Sequence, residues 1–274
     1  MGFFLEKQGE NIWYGKFSIF PSDIAVHAVS TRFGGHSRQP YAAMNLAMHV
    51  GDAQETVWQN RQIFCHPLGL EADRICTPQQ VHGDRIFQVT EAEAGRGSQS
   101  YEDALPDTDA LITDVPELPL MLCFADCTPV LLLDPVHRAA GLAHGGWKGT
   151  VQRIAQKTVL AMRQAFGTRP EECLAAIGPA VGPCCYEVGE EVAGQFRQAF
   201  PGAEALLLKP FQNRIHLDLW EANRLQLTEI GVKKEHIDMA SVCTACNSNL
   251  FFSYRADQGR TGRIAAVISL KSLK

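Results

Sequence analysis

Short apolar runs, separated by glycine, proline and polar turns, dominate the chain. Those at 24–31, 85–90, 110–113, 120–124, 130–133, 139–143, 174–177, 237–242 and 264–269 have the length and composition of strands. The runs 120–124 and 130–133 are continuously apolar, which predicts strands covered on both faces and therefore layers on either side of a sheet. Between 151 and 166 the period changes, with Val151, Ile154, Ala155, Met162 and Phe166 marking one helical face. Asp218 and Glu221 have capping-box spacing, and Gly231 is placed to end the helix that follows them. Segments 55–65 and 190–200 are weaker helix candidates. The stretch 91–107, EAEAGRGSQSYEDALPD, has no period and reads as an exposed loop. Strands and helices interleave without a regular βαβ repeat. The pattern predicts an α+β (mixed α/β) layered sandwich, mixed β-sheets covered by helices, with residues 1–274 as one domain.

Composition narrows the function. At 46% hydrophobic and 20% charged residues, the chain is an ordinary soluble globular protein. A net charge of −5 without a long basic run argues against a nucleic-acid partner, although local Arg and Lys clusters can still meet an anion. The start, MGFFLEKQGENIWYG, lacks the basic and apolar regions of a secretory signal. The most apolar run, 118–125, is too short for a bilayer, so no membrane association is expected. Nine irregularly spaced cysteines without an export signal predict reduced thiols in the cytoplasm. Cys65, Cys76, Cys123 and Cys173 sit in apolar settings and read as core. Cys184 and Cys185, in GPCCYEVG, and Cys243 and Cys246, in CTAC, invite a four-thiolate zinc site. Only one pair has the usual knuckle spacing, so they read as ordinary cysteines.

Three other segments share a form. QQVHGD puts His82 before a glycine turn, FADCTPV puts Cys127 directly after an apolar strand, and GLAHGGWKG puts His144 at a further strand end. Taken singly, Cys127 reads as a small buried hydrophobe and each histidine as a core or turn residue. Taken together, two imidazoles and a thiolate make a sound zinc ligand set with a fourth position left open. Asp126 and Asp84 flank the set. Asp126 is a candidate proton carrier, and Asp84 reads as a turn cap. Three segments suit an anion: STRFGGHS with Arg32, GGWKGT with Lys148 at a helix start, and FFSYRADQGRTGR with three arginines. Arg32 is the first choice among them.

In order along the chain, STRFGGHSRQPYAAMNLAMHVGD, QVHGD, FADCTPVLLLDP, GLAHGGWKGT, IGPAVGPCCYEVG, DLWEANRLQL and FFSYRADQGRTGR resemble the laccase-domain, or polyphenol-oxidase, family over about 28–268. The resemblance implies a fold likened to toxin-type cysteine hydrolases and a cytosolic enzyme whose metal is held by His82, Cys127 and His144. Asn45 in the first stretch joins Arg32 and Lys148 as a candidate substrate or anion contact. Lys148 stands where the motif more usually has arginine, and it lacks the planar fork for a bidentate contact.

The resemblance implies three activities that chemistry must separate. Four-copper phenol oxidation needs many histidines, commonly in His-x-His pairs. This chain has nine histidines and no such pair, so only a single copper at the His/Cys/His site stays open. The favoured reading is a zinc-dependent purine nucleoside enzyme: phosphorolysis of adenosine, inosine, guanosine and methylthioadenosine, and deamination of adenosine. Its partners are then purine nucleosides and phosphate, for which the basic glycine turns are suited. A cytosolic amidase editing peptidoglycan-precursor peptides can use the same ligands, or Cys127 as a nucleophile. A non-catalytic metal- or nucleotide-binding regulator fits less well, because a structural zinc normally has four protein ligands.

Overall fold

The computed structural model describes residues 2–9 and 11–273. Among them the chain is a mixed α/β protein with three β-sheets and six α-helices. One sheet is wholly antiparallel, in the order β1 (Phe3–Gln8), β2 (Ile12–Phe17), β3 (Ala25–Ser30), β14 (Ile264–Leu270), β6 (Leu120–Phe124). A second is mixed, in the order β13 (Ile237–Met239), β9 (Leu174–Ile177), β7 (Thr128–Asp134), β8 (Ala139–Gly145), β5 (Ala110–Thr113), β4 (Ile86–Gln88), with both edge pairs parallel. A small third sheet orders β10 (Glu187–Val188), β12 (Arg214–Leu217) and β11 (Leu208–Phe211). The helices are α1 (Gln54–Cys65), α2 (Trp147–Val151), α3 (Ile154–Phe166), α4 (Glu190–Ala199), α5 (Glu204–Leu207) and α6 (Leu219–Glu229).

The continuously apolar runs do lie between layers. Alternate residues of β7 point to opposite sides, as a pleated strand requires. Leu131 and Leu133 join Val29, Leu122, Phe124 and Ile268 of the antiparallel sheet in one core. Val130 and Leu132 join Val159 and Met162 of α3 and Leu227 of α6 in a second. Beyond the antiparallel sheet, Met121 and Val267 pack on Phe64 of α1. The order of layers is thus helix, sheet, sheet, helix.

Local chemistry explains where the structure departs from the pattern. The 151–166 helix is two pieces, because Arg153 takes the left-handed conformation (φ 67°) and breaks it. Asp218 caps α6 by accepting the Glu221 N–H at 3.0 Å, and Gly231 lies just beyond that helix with φ 106°. The β1–β2 hairpin and the third sheet were not anticipated. Strands β1 and β11 are partly exposed and mix charged with apolar residues, which blurs the period, and β10 is only two residues long. The stretch 91–107 is not simply an exposed loop. The buried Arg61 guanidinium donates to the carbonyls of Gly97 (2.6 Å) and Ser98 (2.7 Å) and pins it to α1. No helix among the described residues is long and apolar enough to cross a membrane.

Candidate functional site

The turn of Ala125, Asp126 and Cys127 carries the chain from β6 in one sheet to β7 in the other. Asp126 makes that turn in the left-handed region (φ 84°), which aspartate tolerates better than most residues. It delivers Cys127 to the start of β7, where the adjacent strand β8 presents His144. His82 comes from the loop before β4, also left-handed (φ 60°). The donor atoms of His82, Cys127 and His144 all lie within 4.8 Å of one another. The two imidazole rings meet edge-on at 4.8 Å between centroids. Both imidazoles therefore stand beside the Cys127 sulfur.

Asp109, which sequence reasoning missed, organises this group. It is fully buried directly before β5. Its Oδ1 is 2.8 Å from His144 Nδ1 and also accepts the His82 backbone N–H at 3.0 Å. Its Oδ2 accepts the N–H groups of Gly83 (2.7 Å) and Val81 (3.2 Å). One carboxylate therefore fixes the imidazole of one donor and the backbone of another, leaving His144 Nε2 for the sulfur or a metal. Burial opposes ionisation of Asp109, but His144 and the backbone donors outweigh it and hold its carboxyl below the usual range. The only sequence signal was an acid directly before an apolar run, which Asp107 nearly shares.

Three donors of this chemistry, oriented by a buried carboxylate and facing a cavity, fit a divalent metal such as zinc. Gly146 shows how tightly the group is packed. A Cβ there would lie 3.1 Å from the His82 ring and 3.2 Å from Cys127 Sγ. Gly146→Ala should push these donors apart and weaken metal binding about tenfold or more, with little change in fold. Equilibrium competition against a chelator measures it.

Without a metal the group is an ion pair. Burial alone would push the Cys127 thiol up, but His144 and His82 outweigh it and bring it down to about 6. Burial would push His144 down, but the Cys127 thiolate and then Asp109 raise it to about 9. Metal binding needs the thiolate and the neutral imidazole. Between these two values it must expel the His144 proton. Below the lower value it must expel the Cys127 proton as well. Metal affinity should therefore rise about tenfold per pH unit between about 6 and 9, rise more steeply below, and flatten above, as far as this pair controls it. Chelator competition across that range checks the slope.

The donors face a cavity of about 460 Å³ that Gln80, Asp126, Trp147, Tyr186, Tyr254, Arg255 and Arg263 also line. A larger depression of about 820 Å³, bordered by Asp23, Leu70, Glu117 and Arg138, touches none of the three donors. Asp126 is held on both oxygens: Thr244 Oγ1 donates at 2.6 Å and the Arg255 N–H at 2.6 Å. Two of the three C-terminal arginines thus reach the cavity.

The other sequence candidates are not brought to it. Arg32 is spent on the carbonyls of Ala42 (3.1 Å) and Ser248 (2.5 Å) and stacks over Phe252. Its glycine setting packs against neighbouring loops, where a Cβ on Gly35 would collide with the Ala43 carbonyl oxygen. Asn45 is fully buried and accepts the Arg263 N–H at 2.9 Å, so it positions a cavity arginine without lining the cavity. Lys148 is exposed and lies over the Trp147 ring. Asp84 pairs with Lys157 at the surface. Cys65, Cys76, Cys123 and Cys173 are buried, as their settings predict. Cys184, Cys185, Cys243 and Cys246, read from spacing as ordinary cysteines, instead bring their sulfurs within 4.8 Å of one another.

Comparison with known proteins places the chain in a family. Residues 26–271 match the family described as multi-copper polyphenol oxidoreductase laccase. A Geobacillus stearothermophilus protein named purine nucleoside phosphorylase YlmD is 40% identical over 89% of this chain and 89% of its own length. The crystal structure of YlmD from the same species superposes with a TM-score of 0.92 over 98% of this chain and 99% of that one, at 37% identity. A protein of an unknown prokaryotic organism, named adenosine deaminase RL5, is 33% identical over 86% of this chain and 92% of its own. The chain therefore belongs to the laccase-domain family.

Proposed function

We propose that this chain is a zinc-dependent purine nucleoside enzyme that cleaves adenosine, inosine, guanosine and methylthioadenosine with phosphate and deaminates adenosine. The observation that carries the reading is the convergence of His82, Cys127 and His144 on a cavity that also holds two arginines and three aromatic rings. The names of the YlmD and RL5 relatives support the same two activities. Held by the three donors, zinc would supply Lewis-acid polarisation, with copper the alternative ion. Tyr186, Tyr254 and Trp147 offer faces on which a purine can stack. Arg255 and Arg263 replace Arg32 and Lys148 as the anion contacts. They neutralise phosphate as it approaches C1′ of the ribose and the base departs. Asp126, with both oxygens engaged, positions the Arg255 backbone in preference to carrying a proton. Free thiols throughout the chain suit the cytoplasm.

Incubation with adenosine, with and without phosphate, tests the reading once zinc content has been measured. Inosine formed without phosphate shows deamination. Phosphate-dependent adenine and ribose 1-phosphate show phosphorolysis. The Cys127–His144 ion pair favours one competing reading, an amidase with a thiolate nucleophile. Neither nucleoside product, together with serine released from a UDP-muramoyl peptide, would overturn the proposal in its favour. Arg263→Gln should raise the KM for phosphate about tenfold or more, since a charged hydrogen bond contributes roughly 1.5–3 kcal/mol. Deamination of adenosine should change much less, and steady-state kinetics of both reactions separate the two.

A further inference from the structure

Cys184 and Cys185 stand in the loop after β9, and Cys243 and Cys246 in the loop after β13. Backbone bonds lay these loops side by side: the Ala180 N–H donates to Val242 O at 3.3 Å, and the Thr244 N–H to Ala180 O at 3.0 Å. All four sulfurs then lie within 4.8 Å of one another. Cys246 Sγ is 3.5 Å from Cys184 Sγ and 3.4 Å from Cys185 Sγ. One sulfur shared almost equally by two others is a cluster, not a disulfide pair. A tetrahedral ion with bonds of about 2.3 Å needs sulfurs about 3.8 Å apart, which this spacing meets with small adjustments. A multi-iron cluster has to enclose several ions and does not fit.

Two further observations separate this group from cysteines that merely fill space. Cys184 and Cys246 are exposed, whereas the core cysteines are buried. Cys243 Sγ accepts two backbone N–H groups, from Gly182 at 3.3 Å and from Cys246 at 3.5 Å. Backbone donors aimed at one sulfur offset the negative charge that a metal-bound thiolate retains. Gly182 permits the approach, since a Cβ there would lie 2.6 Å from the Trp220 ring and 3.3 Å from Cys184 Sγ.

We propose that Cys184, Cys185, Cys243 and Cys246 form a second metal site, a tetrathiolate that holds one zinc ion. With four protein ligands the site is closed to substrate, and its role is structural. Each thiol releases its proton on binding. The site fastens two loops that build the wall of the cavity. Val181 donates its N–H to Asp126 O at 2.9 Å from one loop, and Thr244 binds the Asp126 carboxylate from the other. Tyr186, next to Cys185, lines the cavity itself.

The test uses the full-length Cys127→Ala protein, in which the His/Cys/His site is disabled. Elemental analysis should find about one zinc ion per chain, and cobalt exchange should give the intense thiolate charge-transfer bands of a tetrahedral four-sulfur site. Adding Cys184→Ser and Cys246→Ser should remove both signals and lower the melting temperature. A second readout needs no substitution in the cluster. In the unaltered protein these four thiols should resist a thiol reagent until a strong chelator is added. Zinc-loaded Cys127→Ala that holds no stoichiometric metal, with all four thiols reacting at once or a disulfide among them, overturns the proposal. Neither result depends on which substrate the enzyme turns over.

Discussion

Cys127→Ala should remove one metal ion per chain and reduce turnover of purine nucleosides to background, a loss of at least about a hundredfold. Substitutions in the partners that merely orient metal ligands already cost about ten- to a hundredfold. Here a donor atom itself is lost, and the two remaining imidazoles cannot match the charge of a thiolate. The fold should survive, because one small side chain leaves a small void, worth about 1 kcal/mol on the scale of larger truncations. Elemental analysis, far-ultraviolet circular dichroism and single-turnover assays on one preparation measure all three effects. The variant also separates two roles for this sulfur. A nucleophile that is not a ligand would leave metal content untouched while activity vanished. Retention of full metal occupancy at this site would show that the ligand assignment is wrong.

Asp109→Asn should be nearly as damaging, although Asp109 touches neither cavity nor substrate. Asparagine has one acceptor oxygen where aspartate has two, and its NH₂ group would face backbone N–H donors of the 81–83 loop. Leaving buried donors unpaired costs about 1–3 kcal/mol of stability, read as a lower melting temperature. His144 would lose the partner that orients its ring, so metal affinity should fall roughly ten- to a hundredfold. A purely structural defect would stop there. The positioning role predicts one thing more. With the carboxylate charge gone, the His144 pKa should drop from about 9, and the upper break in the pH profile of metal affinity should move to lower pH. An upper break that stays in place would rule out a positioning role for Asp109.

These two residues mark the boundary of what could be read from the chain. His82, Cys127 and His144 are legible because each sits where an apolar run meets a turn, and because their side chains share metal-binding chemistry. Asp109 sits in a similar place but is one of many acids next to strands. Its importance comes from strand pairing: β5 lies beside β8, so Asp109 meets a histidine 35 residues away. The same limit explains the arginines. Arg32 has the glycine surroundings of an anion site, yet the folded chain closes those loops on it and consumes its donors on carbonyls. Arg255 and Arg263 have less suggestive neighbours and are carried to the cavity by the long-range anchors Asp126 and Asn45. The buried strands were legible because burial on both faces leaves an unbroken apolar run. The hairpin β1–β2 was not, because a half-exposed edge does not. The four clustered cysteines lie outside any local spacing rule, since two loops some sixty residues apart supply them.

The place of β14 has a consequence for how the protein is made. This strand, close to the end of the chain, lies between β3 and β6 and pairs with both along most of its length. A ribosome therefore releases β3 and β6 long before the strand that joins them. Until then each offers an open, apolar edge, the kind of surface on which partly made chains stick together. Stopping synthesis after residue 263 would remove the middle of a sheet, not its margin. Such a fragment should be collected by chaperones or proteases even though all three donors, both cavity arginines and all nine cysteines are already present in it.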